Sequence, residues 1–372
     1  MANDLQTHLR LMVKHGGSDL FLSPGAPPNV KVDGITRPMT EQALDADQVQ
    51  ALVYALLTQD EIQHFEQDLE LNKALDLPDV GRFRVNVYRQ RGMTAFVARH
   101  IKTEIPSIRE LGMPPLLESL VMEQRGLILI TGAAGSGKST TMASMIDYRN
   151  QRQSGHILMI EDPVEFIHSH KRAIVDQREI GLDTHSFGNA LRNAMREAPD
   201  VIAIGEIRDL ESLKYALAYA ETGHLCLATL HASNAHQTLE RILNFYDQQH
   251  HQQVLLDLSL HLKAIISQRL VRGVDGRRVP AAEIMINTPF IAELIQTGRI
   301  DEIGSAIHMH TETGSFSFDQ SLYRLWKDGR ISHEEALAFA DSRANLSVQI
   351  RLDANPDQKS GGHSSFDNVD LQ

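Results

Sequence analysis

Leu127-Ile128-Leu129-Ile130-Thr131-Gly132-Ala133-Ala134-Gly135-Ser136-Gly137-Lys138-Ser139-Thr140 decides the architecture of the larger part of the chain. Its first five residues form an apolar, β-branched run of strand length, and Gly132–Ser139 matches G-x-x-x-x-G-K-[ST] in full. The residues after Ser139 read as helix, so the unit is strand, glycine-rich loop, helix. Glycines there let backbone N–H groups turn inward and approach phosphate oxygens that a Cβ would obstruct. Lys138 brings positive charge toward the outer phosphates, Ser139 offers a hydroxyl to Mg²⁺, and the helix N-terminus adds a favourable dipole. The loop therefore predicts a bound nucleoside triphosphate with Mg²⁺, held by residues 132–140.

Short apolar runs recur downstream at Leu127–Thr131, Ile157–Ile160, Val201–Gly205 and Leu225–Leu230, separated by longer helical stretches. This alternation predicts a mainly parallel sheet and an α/β domain. Two of the runs end in carboxylates: Glu161-Asp162-Pro163-Val164-Glu165 and Glu206-Ile207-Arg208-Asp209. A parallel sheet brings the C-terminal ends of its strands to one edge, so these acids are expected near the phosphate loop. Nucleotide hydrolysis requires such a second acidic site.

Upstream the pattern differs. Leu5, Leu9, Met12 and Val13 mark one helix face, and Val49, Leu52, Val53, Leu56 and Leu57 another. Short strands are expected within Asp19–Met39, with a turn at Asp33-Gly34. Arg82–Tyr88 alternates, with Phe83, Val85 and Val87 on one face and Arg82 and Arg84 on the other, and Thr94–His100 is its expected partner. The sequence thus divides into a small α+β domain over 1–100, a Pro-bearing linker or hinge over 101–118, an α/β domain over 119–352 and a polar, disordered tail over 353–372.

The chain has 372 residues, which favours two domains, and 36 Lys+Arg against 48 Asp+Glu give a net charge of −12. That balance argues against a protein that coats nucleic acid. The single cysteine, Cys226, excludes an intramolecular disulfide and any Cys-x-x-Cys site and suits a reducing compartment. Neither a membrane span nor a secretory signal is visible, so a cytoplasmic location is expected.

Four stretches, Gly132–Ser139, Ile160–Phe166, Arg196–Asp209 and Glu221–His231, resemble in order the Walker A, Asp, Walker B and His boxes of secretion-superfamily hexameric ATPases. The resemblance runs from about residue 3 to residue 340 and is closest to the type IV pilus retraction ATPases, PilT and PilU. It implies a RecA-like core preceded by a PAS-like domain, and a hexameric motor for pilus retraction and twitching motility. The motor would work at the inner membrane through a platform protein, with a PilT-like ATPase as a candidate second partner. Carried over to this chain, it implies that Lys138 and Ser139 bind phosphate and Mg²⁺, Glu165 activates water, and Glu206 positions Mg²⁺ or its waters. His224 and His231 match the two box histidines. Arg82, Arg84 and Arg99 match arginines that reach a nucleotide across a subunit interface.

The chain departs from the PilT pattern in Gly16–Leu22 and in Phe290 and Ala292, which stand at the Ala and Arg positions of the Ala-Ile-Arg motif. These departures, with the polar tail, favour the PilU side of the family. Three alternatives are a pilus-assembly or type II secretion ATPase, a regulatory nucleotide-binding subunit, and a nucleic-acid translocase. The first usually carries a four-cysteine metal module, which one cysteine cannot supply.

Overall fold

The computed structural model describes residues 4–32, 34–101, 103–309 and 311–354. Asp33 of the expected turn and residues 355–372 of the expected tail lie outside this range. The chain forms two compact units: Met1–Ile105 with Pro163–Ser169 and Glu179–His185, and Pro106–Asp162 with His170–Arg178 and Ser186–Gln372.

The first unit is built on six strands, β1 (Asp19–Leu22), β2 (Asn29–Val32), β3 (Ile35–Pro38), β4 (Glu70–Leu77), β5 (Gly81–Gln90) and β6 (Met93–Ile101). They pair antiparallel in the order β3-β2-β1-β6-β5-β4. Its helices start where side chains can satisfy free N–H groups. Asp4 caps Leu5–Lys14, while Asp45 with Gln48 and Thr58 with Glu61 form capping boxes for Ala46–Tyr54 and Gln59–Asp68. The apolar faces of these helices meet the sheet: Leu9, Met12, Val49, Val53 and Phe65 pack with Phe83, Val85, Val87 and Phe96, all essentially buried. Burying each such side chain is worth about 1.5–3 kcal/mol, which makes this alternation the fold's main determinant. Gly17 is required by packing, because a Cβ there would lie 2.4 Å from Cγ2 of Val30.

The second unit contains β7 (Gly126–Thr131), β8 (Gly155–Glu161), β9 (Ala173–Glu179), β10 (Val201–Ile204), β11 (Leu225–Leu230), β12 (Leu262–Arg272) and β13 (Arg278–Ile286). They are ordered β13-β12-β7-β11-β10-β8-β9. Strands β12, β7, β11, β10 and β8 run parallel, and β13 is antiparallel to β12. Every residue of β7, β10 and β11 is buried. That is why the central strands read as unbroken apolar runs.

Of the stretch 101–118 expected to join the domains, the part from Pro106 onward packs into the second unit. Ile108, Met113 and Leu117 are buried in its core, and the Ser144 hydroxyl donates to the Pro106 carbonyl at 2.6 Å. The boundary between the units falls between Ile105 and Pro106.

Candidate functional site

Strand β7 delivers the chain into the loop Gly132–Gly137, and the helix Lys138–Arg152 leaves it. Gly137 caps that helix with φ +92°. Gly132 has φ +151°, and a Cβ on it would meet Ser136 Oγ at 2.4 Å and the Gln268 carbonyl at 2.5 Å. Both positions therefore need glycine, by torsion and by space. Neighbouring β12 braces the loop: Ser267 accepts from Thr131 Oγ1 at 2.9 Å, and Gln268 Oε1 accepts from Thr141 Oγ1 at 2.7 Å. Ser136 Oγ is buried with no hydrogen-bond partner. An orphaned hydroxyl inside a glycine-lined loop fits a phosphate ligand. A cleft of about 830 Å³ opens beside residues 132–136 and is also lined by Gln268–Arg272, Arg278 and Phe339. Its size and mixed lining suit a nucleotide.

The sheet order explains how acids reach the loop. From β7 the parallel strands run β11, β10, β8, and their C-terminal ends carry His231, Glu206 and Asp162. Polar contacts cross the edge in that order. Lys138 Nζ donates to the carbonyls of Gly132 (2.9 Å) and Ala133 (3.0 Å) and lies 3.4 Å from His231 Nδ1. His231 Nε2 is 3.0 Å from Glu206 Oε1. Arg208 Nε donates to Glu206 Oε2 at 2.9 Å, and its Nη1 donates to Asp162 Oδ2 at 2.8 Å. The bond to Glu206, with that carboxylate's charge and Asp162, raises the Arg208 pKa and keeps the guanidinium charged. Gly205 allows the close approach of β10 to β8, since a Cβ would meet backbone atoms of Ile160 and Glu161 at 3.1 Å.

Ser139 and Glu206 supply the hard oxygen donors that Mg²⁺ takes, and that ion is ordinarily held by one or two protein groups besides phosphate. Among the described residues no group of three or more His, Cys, Asp and Glu side chains is placed to hold a metal without such a ligand.

His224, matched to the His box along with His231, does not lie beside it. It precedes β11, which His231 follows, and its carbonyl accepts from Gly126 N at the start of β7. It therefore stands at the opposite end of a six-residue strand, about 20 Å along the sheet from the phosphate loop of its own chain. Its ring nitrogen Nδ1 meets the Thr222 hydroxyl at 3.1 Å.

Glu165 is exposed and belongs to Pro163–Ser169 of the first unit. The preceding residue is fixed, because Val164 N donates to Glu179 Oε2 at 3.2 Å. Burial pushes the Glu179 carboxyl up, against the pull of that N–H and of the Arg84 and Arg82 charges.

The three arginines share one face of the first sheet, where Arg84 lies directly across from Arg99. Arg99 Nε donates to Asp19 Oδ1 at 2.7 Å, whereas Arg82 Nε is buried without a hydrogen bond, 4.0 Å from Asp76. Like charges directly opposite on adjacent strands are unfavourable, and the Asp19 carboxylate beside Arg99 offsets part of that repulsion. The hairpin partner of β5 was legible, but the Arg99–Asp19 contact was not, because it joins residues 80 apart in the chain.

The model for the type II/IV secretion system protein family matches residues 13–323. The chain belongs to this family. It is 48% identical over 350 residues to the type IV pilus ATPase PilU of Pseudomonas aeruginosa, covering 94% of this chain and 92% of that protein. It is 42% identical over 333 residues to the pilus retraction ATPase PilT of the same organism, covering 90% and 97%. Among solved structures, the pilus retraction motor PilT with bound ADP superposes with a TM-score of 0.87 at 40% identity, over 93% of this chain and 99% of that one. The N-terminal α+β unit and RecA-like core expected from the sequence agree with this neighbour.

Proposed function

We propose that this secretion-family ATPase hydrolyses ATP with Mg²⁺ as a hexameric ring that drives type IV pilus retraction. The observation that carries the hydrolytic reading is the link from Lys138 through His231 to Glu206 along one sheet edge. It joins the phosphate loop to an acid two strands away.

Lys138 and the loop N–H groups hold the phosphates, and Ser139 and Glu206 hold Mg²⁺. The ion supplies charge neutralisation and orients the outer phosphates. Glu165 takes the proton of the attacking water. Arg82, Arg84 and Arg99 approach the nucleotide of a neighbouring subunit and balance charge that develops on the transferred group. The division between Ile105 and Pro106, inside the expected connector 101–118, is the hinge that domain motion would use. Retraction is supported by the near full-length likeness to PilU and PilT. The higher identity to PilU, together with Phe290 and Ala292 in the otherwise arginine-bearing motif, favours the PilU type. No described helix is long and apolar enough to cross a membrane, so contact with the inner membrane would run through a platform protein.

The test is ATP turnover by the purified chain with and without Mg²⁺, alone and with a PilT-type ATPase, beside twitching in cells lacking the gene. Turnover lost in Lys138→Ala and impaired twitching are expected. Turnover that persists in Lys138→Ala would sink the site, and normal twitching would sink the cellular role.

A further inference from the structure

We infer that Arg208 is the positioning residue for Glu206, tying this acid to Asp162 on the neighbouring strand so that its carboxylate presents a fixed face to Mg²⁺. The inference rests on the ATPase reading above.

The backbone directs both side chains to the same side. Ile207, between them, is buried, and its N–H donates to the Thr229 carbonyl at 2.8 Å. Glu206 and Arg208 flank this buried residue, and their side chains meet, Nε to Oε2 at 2.9 Å. The planar guanidinium then spans two acids with two different nitrogens, Nε to Glu206 at 2.9 Å and Nη1 to Asp162 at 2.8 Å. A rigid fork is suited to such a bridge, whereas an ammonium is a point charge.

Stability does not explain the arrangement. The Arg208 and Asp162 side chains are 49% and 32% exposed. Ion pairs this open contribute about 0–1 kcal/mol. What the bridge does supply is orientation. An ionised carboxylate has about four lone-pair positions. On Glu206, Arg208 and His231 use one on each oxygen. One position on each oxygen is left for Mg²⁺ or its waters, on a carboxylate held from both ends.

The experiment is a titration of the full chain with the fluorescent nucleotide mant-ADP, in excess Mg²⁺ and in EDTA. Arg208→Ala and Asp162→Asn should each weaken binding in Mg²⁺ by about 10-fold or more, the effect typical of losing a group that orients a metal ligand. In EDTA both should stay within about twofold of the unaltered chain, because the phosphate loop is untouched. Arg208→Lys should remain near Arg208→Ala, and the double variant should be no worse than the weaker single one. Unchanged Mg²⁺-dependent binding in Arg208→Ala would overturn the inference. So would an equal loss in EDTA, which marks a merely structural role, or full rescue by lysine. An unaltered chain that bound no mant-ADP in either condition would overturn the ATPase reading and the inference together.

Discussion

His231 Nε2 stands 3.0 Å from Oε1 of Glu206. The other ring nitrogen, Nδ1, faces the Lys138 ammonium at 3.4 Å. An ammonium only donates, so Nδ1 must accept, and the proton then sits on Nε2 and is donated to the carboxylate. A neutral imidazole with its proton on Nε2 satisfies both neighbours, and it places one ring between the Lys138 ammonium and the acid.

His231→Ala should therefore lower turnover more than nucleotide affinity. A loss of about 10-fold or more in kcat is expected, within the range for groups that place charge or protons in a transition state. Steady-state kinetics beside mant-ADP binding separate the two. A variant with unchanged kcat would remove His231 from the site.

The loop glycines should not be equivalent. In Gly132→Ala the new methyl would meet Ser136 Oγ and the Gln268 carbonyl at 2.4 and 2.5 Å. In Gly135→Ala it would meet nothing within 4 Å, although φ is +74°. Gly132→Ala should weaken mant-ADP binding by about 10-fold or more, because the phosphate loop itself must shift. Gly135→Ala should cost only about 1 kcal/mol of stability. Equal effects on binding would contradict the geometry.

The central parallel strands were legible because each is buried on both faces and reads as an apolar run. Strand β12 was not read in advance, and the structure shows why. Ser267 and Gln268 interrupt its apolar pattern, and their partners Thr131 and Thr141 lie well over a hundred residues earlier. A polar residue in a strand cannot be assigned to a core until the group that satisfies it is known. The same limit hid the role of Arg208, which depends on Asp162 across a strand pairing. His224 and His231 look equivalent in the sequence, yet a six-residue strand carries them to opposite ends of the sheet.

Glu283 gives a stability signature that depends on pH. Its side chain is buried on β13 and accepts from Ala235 N at 2.8 Å. Burial, with smaller contributions from Asp341 and Asp319, pushes its pKa up to about 7 against the pull of the Ala235 N–H and Arg269. A folded-state carboxyl with a raised pKa binds more protons than the unfolded chain, so this group makes stability fall as pH rises from about 4.5 through 7. Glu283→Gln should flatten that slope and stabilise the chain at pH 8 by roughly 1–3 kcal/mol. Urea denaturation at pH 5.5 and pH 8 measures it. An unchanged slope would place the proton elsewhere.

Ala198 has φ +50° and ψ +49°, in the left-handed region, between the 3₁₀ turn Met195–Glu197 and Pro199. A side chain there is unfavourable by about 1 kcal/mol, and glycine removes the strain. Ala198→Gly should therefore raise the urea midpoint, with a gain of about 0.5–1 kcal/mol. A lowered midpoint would show that the methyl packs more favourably than the torsion is strained.

The most direct test of the account is Glu206→Gln, which keeps the side chain's size and removes its charge. Single-turnover hydrolysis and mant-ADP binding should be measured on the same preparation. The account predicts that hydrolysis falls by about 100-fold or more, while binding in EDTA stays within about threefold. Hydrolysis within threefold of the unaltered chain would contradict the claim that Lys138, His231 and Glu206 form one hydrolytic site.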